Sequence, residues 1–130
     1  MNTPELGAGV RLCRSDALAE RGAGHVFEVL EYGNKVPAFA VRFEGRVVAY
    51  LNRCAHVPTT LDWQPGEFFD ADRQWLICAV HGATYAPHSG HCVAGPCPRG
   101  RLTPLDVDEA DGWVRWHPSR DIQPLQPSIS

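Results

Sequence analysis

Two short cysteine–histidine pairs are the residues of this chain best placed to do chemistry: Cys54-Ala55-His56 and Cys78-Ala79-Val80-His81, the second followed at once by Gly82. Each pair offers one thiolate and one imidazole. Two sulfurs and two ring nitrogens drawn from two loops suit either a zinc ion or a [2Fe–2S] centre with mixed ligands. Zinc would make the site inert architecture, and iron–sulfur would make it an electron carrier.

The spacing bears on that choice. In an extended segment residues i and i+2 point to the same side, so Cys54 and His56 can face one site while Ala55 points away. The Cys78–His81 spacing suits a tight turn, and Gly82 lets the backbone bend sharply after it. The 21 residues between His56 and Cys78 are long enough for a hairpin excursion that returns the two loops side by side. Zinc fingers usually pair Cys with Cys and His with His. Two mixed loops instead suit a dinuclear site with one sulfur-bound and one imidazole-bound iron.

Strands must position these loops. Gly24–Leu30 reads as a strand, and Pro37–Phe43 places Phe39, Val41 and Phe43 opposite Ala38, Ala40 and Arg42. Glu44-Gly45 reads as a tight turn into Arg46–Leu51, which runs straight towards Cys54. Gln74–Cys78 delivers the second cysteine at its end, and a brief strand around Ala83–Tyr85 follows. Pro87–Gly100, rich in glycine and proline, reads as loop. Leu102–Val107 and Trp113–Trp116 form a closing hairpin across Asp111-Gly112. The one helix expected is Asp16–Arg21, capped by Ser15 and stopped by Gly22. The expectation is an all-β fold: an antiparallel sandwich or barrel of eight or more short strands, with a small cluster-binding subdomain made by two loops. A single domain is expected over 1–117, its site-bearing part about 52–100, with a flexible tail over 118–130.

Bulk composition excludes several classes. At 130 residues, 44% hydrophobic and 21% charged, the chain is one ordinary domain's worth. The net charge of −3 and the lack of a dense Lys/Arg run leave no nucleic-acid footprint. No apolar stretch approaches the roughly 20 residues that span a bilayer, and Met1–Val10 does not read as a secretory signal, so the cytoplasm is expected. The five cysteines are an odd number, which argues against a disulfide framework and for metal ligation or unbridged thiols. The acidic groups at Glu67–Asp72 and Asp106–Asp111 read as solvated turns and strand ends.

Cys-x-His … Cys-x-x-His-Gly at strand exits in an all-β chain resembles the Rieske family. The resemblance runs from about Gly24 to Trp116 and includes Gly82-Ala83-Thr84-Tyr85 and the loop around Gly95-Pro96. It implies one Rieske-type [2Fe–2S] cluster per chain, with Cys54 and Cys78 on one iron and His56 and His81 on the other. Gly82, Tyr85 and Pro96 would stand around the ligands, and the imidazoles would reach the surface as the exit for electrons.

Departures from the family's high-potential branch refine this. That branch has an extra cysteine in each ligand loop, joined in a disulfide. Here Thr59 and Val80 stand at those positions, so the chain resembles the disulfide-free, lower-potential branch. The branch also has a serine two residues after the second histidine, where this chain has Ala83; Tyr85 keeps the position of a second donor. Hydrogen bonds to cluster sulfur raise the potential, so a midpoint in the lower part of the window of roughly −150 to +300 mV is expected. The spacer is a few residues longer than usual, and Leu61–Phe69, with Trp63 and Pro65, is expected to form an enlarged flap that shields and packs.

Other residues receive plainer readings. Cys92 and Cys97 read as structural or incidental thiols and Cys13 as an early-strand residue. His25, His88, His91 and His117 read as loop or surface residues. Trp63, Trp75, Trp113 and Trp116 read as packing. No dinucleotide fingerprint, phosphate loop or nucleophile elbow occurs, so no NAD or flavin is expected on this chain, and no catalytic residue. The leading expectation is a ferredoxin carrying one electron from a reductase to a terminal oxidoreductase such as an oxygenase. Its midpoint is expected to fall as pH rises into the alkaline range. A small subunit of a larger reductase such as nitrite reductase, and a redox-silent zinc-stabilised module, are the alternatives.

Overall fold

The computed structural model describes residues 9–55, 59–78, 82–95 and 100–125. Ten strands form: β1 (Val10–Arg14), β2 (His25–Glu31), β3 (Asn34–Phe43), β4 (Arg46–Leu51), β5 (Leu76–Ile77), β6 (Thr84–Tyr85), β7 (Cys92–Ala94), β8 (Pro104–Ala110), β9 (Trp113–His117) and β10 (Ile122–Pro124). Seven make one antiparallel, nearly closed barrel-like sheet in the order β1-β9-β8-β4-β3-β2-β10. The other three, β5-β6-β7, form a small separate sheet. This is the expected all-β architecture with a small subdomain.

Three X–Gly turns fold the long hairpins. Tyr32-Gly33, Glu44-Gly45 and Asp111-Gly112 each place both residues at positive φ, the geometry that matches strand twist. The poor first residue Glu44 is helped from elsewhere: the Glu20 carboxylate accepts the N–H groups of Glu44 and Gly45. Those bonds hold the Glu20 carboxyl below its usual range.

β3 lies between β4 and β2, and both its faces are covered. Ala38 and Ala40 face a barrel core with Val29, Leu51, Leu105, Val114 and Trp116. Phe39, Val41 and Phe43 face a second core with Tyr50, Leu61, Phe68 and Phe69. The alternation expected for 37–43 is therefore the division between two cores. Phe39 and Phe68 stack at 3.9 Å, so the flap is folded into the second core.

Three expectations are corrected. Residues 16–21 are not a helix: only a 3₁₀ turn, Ser15–Ala17, forms, and no side chain caps it. Instead the Arg42 guanidinium, from β3, donates to the carbonyls of Leu18 (2.8 Å) and Ser15 (2.9 Å) and takes hold of this segment. The loop expected over 87–100 contains β7, which is paired with β6. The tail expected from residue 118 contains β10, which pairs with β2 and buries Ile122. No described helix is long and apolar enough to cross a membrane.

Candidate metal centre

Both cysteines stand where strands run out. β4 ends three residues before Cys54, and Cys78 follows β5 directly. Cys54 is 3% exposed and Cys78 fully buried, in one cluster with Leu61, Phe69, Leu76, Ala83 and Tyr85. Neither takes part in a disulfide, nor does the half-buried Cys13.

The two loops are closed in the same way. The Cys54 N–H donates to the Thr59 carbonyl and the Cys78 N–H to that of Ala83, each at 2.8 Å and five residues on. Each bond joins the two ends of the segment in which its histidine stands in sequence. His56 and His81 lie outside the described residues, as do Val80 and Pro96. Gly82 donates to the Cys78 carbonyl at 2.9 Å with φ +72°, the left-handed bend that the residue type predicts.

Tyr85 is fully buried, with its hydroxyl 3.3 Å from Sγ of Cys54. The Ala55 N–H donates to the same hydroxyl oxygen at 3.0 Å. That bond occupies an acceptor position and leaves the hydroxyl proton for the sulfur. Burial, and then the Cys54 contact, push the Tyr85 hydroxyl far above its ordinary pKa, so it stays a donor at neutral pH. Ala83 is buried and brings no hydroxyl, whereas Thr84 spends its own on the Gly82 carbonyl at 3.1 Å.

A third loop braces the second ligand loop. Gly95 has φ +98°, and a Cβ there would lie 2.8 Å from Ala83 Cα and 3.0 Å from the Gly82 carbonyl oxygen. Only a residue without a side chain allows this approach. Cys92, paired opposite Tyr85, is disulfide-bonded, which corrects its reading as a thiol. Cys97 lies outside the described residues. An odd cysteine count carries no signal for a single bridge, so the count alone misled.

The other singled-out side chains serve elsewhere. His117 meets Asp108 at 2.9 Å, and His25 stacks on Phe27, where burial lowers its pKa. Trp116 is buried in the barrel core, and Trp63 donates to the Phe69 carbonyl. Trp75 and His88 line a cavity of about 230 Å³ with Arg21 and Phe43, on the hairpin side. Sequence reasoning missed Asn52 and Asp62. Asn52 is buried, 3% exposed, and it pairs with Asp62 at 3.2 Å.

Cys54 and Cys78 lie in one buried cluster, Cys54 beside the Tyr85 hydroxyl, and two such sulfurs are donors of the kind an iron–sulfur centre takes.

Comparison with known proteins gives the same direction. Residues 9–118 match the family model of the Rieske [2Fe–2S] domain. The chain is similar in structure to the ferredoxin of carbazole 1,9a-dioxygenase from Nocardioides aromaticivorans IC177. That likeness has a TM-score of 0.65 at 23% identity and covers 85% of this chain and 97% of that one. A ferredoxin of Sphingomonas yanoikuyae B1 matches with TM-score 0.59 at 23% identity, over 83% and 96% of the two chains. A complex of reduced oxygenase and oxidized ferredoxin in carbazole 1,9a-dioxygenase matches with TM-score 0.63 at 19% identity, over 82% and 90%. At these identities the likeness shows the fold. No curated protein sequence matches.

Proposed function

Because the chain belongs to the Rieske [2Fe–2S] domain family, we propose that it is a ferredoxin carrying one electron from a reductase to an oxygenase. The family's cofactor is a Rieske-type [2Fe–2S] cluster, which supplies one-electron oxidation and reduction when bound. The zinc alternative falls with that membership.

In this reading Cys54 and Cys78 hold one iron as thiolates, and His56 and His81 hold the other through ring nitrogens. The observation that carries it is the burial of both cysteines in one core, at the ends of two strands and in loops closed by the same bond. Tyr85 donates to the Cys54 sulfur and so favours the more negative, reduced level. Ala83 contributes no such bond, in keeping with a midpoint in the lower part of the family's range. The imidazoles are the electron's way in and out. The oxygenase as acceptor is supported by the ferredoxins of dioxygenase systems to which the chain is similar.

The test has two parts. Anaerobically purified protein should carry two irons and two acid-labile sulfides per chain. Once reduced chemically, it should be reoxidised in a single turnover by a ferredoxin-dependent aromatic-ring dioxygenase. Zinc in place of iron would overturn the cofactor reading, and a reduced protein that no such oxygenase reoxidises would overturn the carrier reading.

A further inference from the structure

Asn52 stands two residues before Cys54, inside the fold rather than at its surface. Its side-chain carbonyl accepts the Leu61 N–H at 2.8 Å, and its amide nitrogen donates to Oδ1 of Asp62 at 3.2 Å. Oδ2 of Asp62 in turn accepts the Gly66 N–H at 3.2 Å, and the Gly66 carbonyl accepts the Gly24 N–H at 2.8 Å. The Asn52 N–H donates to the Pro37 carbonyl on β3 at 2.8 Å. One planar amide thus ties the start of the first ligand loop to its far end, and through Asp62 to the flap and the entry of β2.

The two ties around Cys54 are nested. The inner one is the backbone bond from Cys54 to Thr59, and the outer one is the Asn52 side chain gripping Leu61 and Asp62. The second ligand loop is held differently, by the Gly95 backbone lying against Ala83. Asn is suited to the outer tie because one rigid group offers an acceptor and a donor at fixed separation. A hydroxyl is too short to reach both, and an apolar residue would leave the Leu61 N–H buried without its acceptor.

We propose that Asn52, with Asp62 as its partner, is a positioning residue that fixes the Cys54 loop in its ligating shape. It thereby sets how firmly the cluster is held and at what potential it is reduced. This rests on the reading of Cys54 as an iron ligand. It also gives the long spacer a task beyond packing, because Leu61 and Asp62 belong to it.

The test uses holoprotein and four variants: Asn52→Ala, Asn52→Asp, Asp62→Asn and the exchange Asn52→Asp/Asp62→Asn. Asn52→Ala removes the clamp, and Asn52→Asp sets two carboxylates face to face. Each should speed cluster release to a chelator by about tenfold or more, the scale of a buried N–H without its acceptor in the first and of a buried carboxylate without its donor in the second, and move the midpoint from the wild-type value. The exchange rebuilds the pair with its polarity reversed: the new carboxylate accepts from Leu61 and from the new amide, whose oxygen accepts from Gly66. It should restore the release rate to within about twofold of wild type and return the midpoint to the wild-type value, a coupling that independent effects would not give. Wild-type release and midpoint in Asn52→Ala would overturn the proposal, and so would an exchange variant no better than Asn52→Asp.

Failure of the ligand reading is separable. If the wild type binds no iron and sulfide, amide exchange at Leu61 in the metal-free protein still reads the clamp. There Asn52→Ala should speed exchange by about tenfold, and unchanged exchange would show that no clamp exists. Thermal melts of all variants identify any that do not fold, and the exchange variant keeps the proposal testable if Asn52→Ala is one of them.

Discussion

The Tyr85 hydroxyl sits 3.3 Å from Sγ of Cys54 and takes the Ala55 N–H on its own oxygen, so its proton is aimed at the sulfur. Tyr85 comes from β6 and Cys54 from the exit of β4, and the contact joins the small sheet to the barrel. Tyr85→Phe keeps the ring and removes only that donor. A bond of about 1 kcal/mol that favours the reduced level corresponds to roughly 40 mV in a one-electron couple. The midpoint of the variant should fall by that order, measured by spectroelectrochemical titration at fixed pH. An unchanged midpoint would show that the hydroxyl does not act on the cluster.

Two glycines beside the ligands should respond unequally to alanine. At Gly82 a Cβ meets nothing within 4 Å and only the positive φ is strained, so Gly82→Ala should cost about 1 kcal/mol. At Gly95 the same change adds a 2.8 Å clash with Ala83 Cα to a φ of +98°, and should cost about 3 kcal/mol. Urea unfolding gives both values, and equal costs would mean that the third loop does not press on the second ligand loop.

Acid should weaken the barrel through Glu109. The Arg42 guanidinium grips this carboxylate with two bonds, of 2.7 and 3.0 Å, and holds it below the usual carboxylate range. A folded value below the unfolded one, about 4.3, stabilises the fold above that pH; the gain is lost as pH falls through the folded value. Glu31, paired with Arg53 just before Cys54, has the same sign. Glu109→Gln should therefore cost about 1 kcal/mol at pH 7, and progressively less as pH falls through the folded value. Denaturant midpoints across that range check it, and a cost independent of pH would contradict the ion pair.

The cysteines should count out unevenly. Of the five, Cys92 and its partner are bridged, which leaves three for alkylation. Protein denatured without reductant and stripped of metal should take up three labels per chain by mass, and five after reduction. Five labels without reductant would remove the bridge.

Much of this protein is written locally. Alternation over 37–43 separates two cores because β3 is covered on both faces, and each half of the alternation goes to one of them. The turns at Glu44-Gly45 and Asp111-Gly112, the strand 46–51 and the bend at Gly82 depend on a few neighbouring residues, so they could be read directly. The Asp16–Arg21 stretch could not, because its Ser15 and Leu18 carbonyls are held by Arg42, a residue distant in the chain.

By itself, then, the sequence determined the donor types, their spacing and the strands that carry them, since each follows from backbone periodicity and turn chemistry. Tertiary structure alone decided that Cys54 and Cys78 share one core with Tyr85, that Gly95 must have no side chain, that Asn52 grips the far end of its loop, and that Ile122 closes the barrel's edge. These are contacts between residues distant in the chain. Their energies come from desolvation and close approach, which leave no periodic mark on either partner's own neighbourhood.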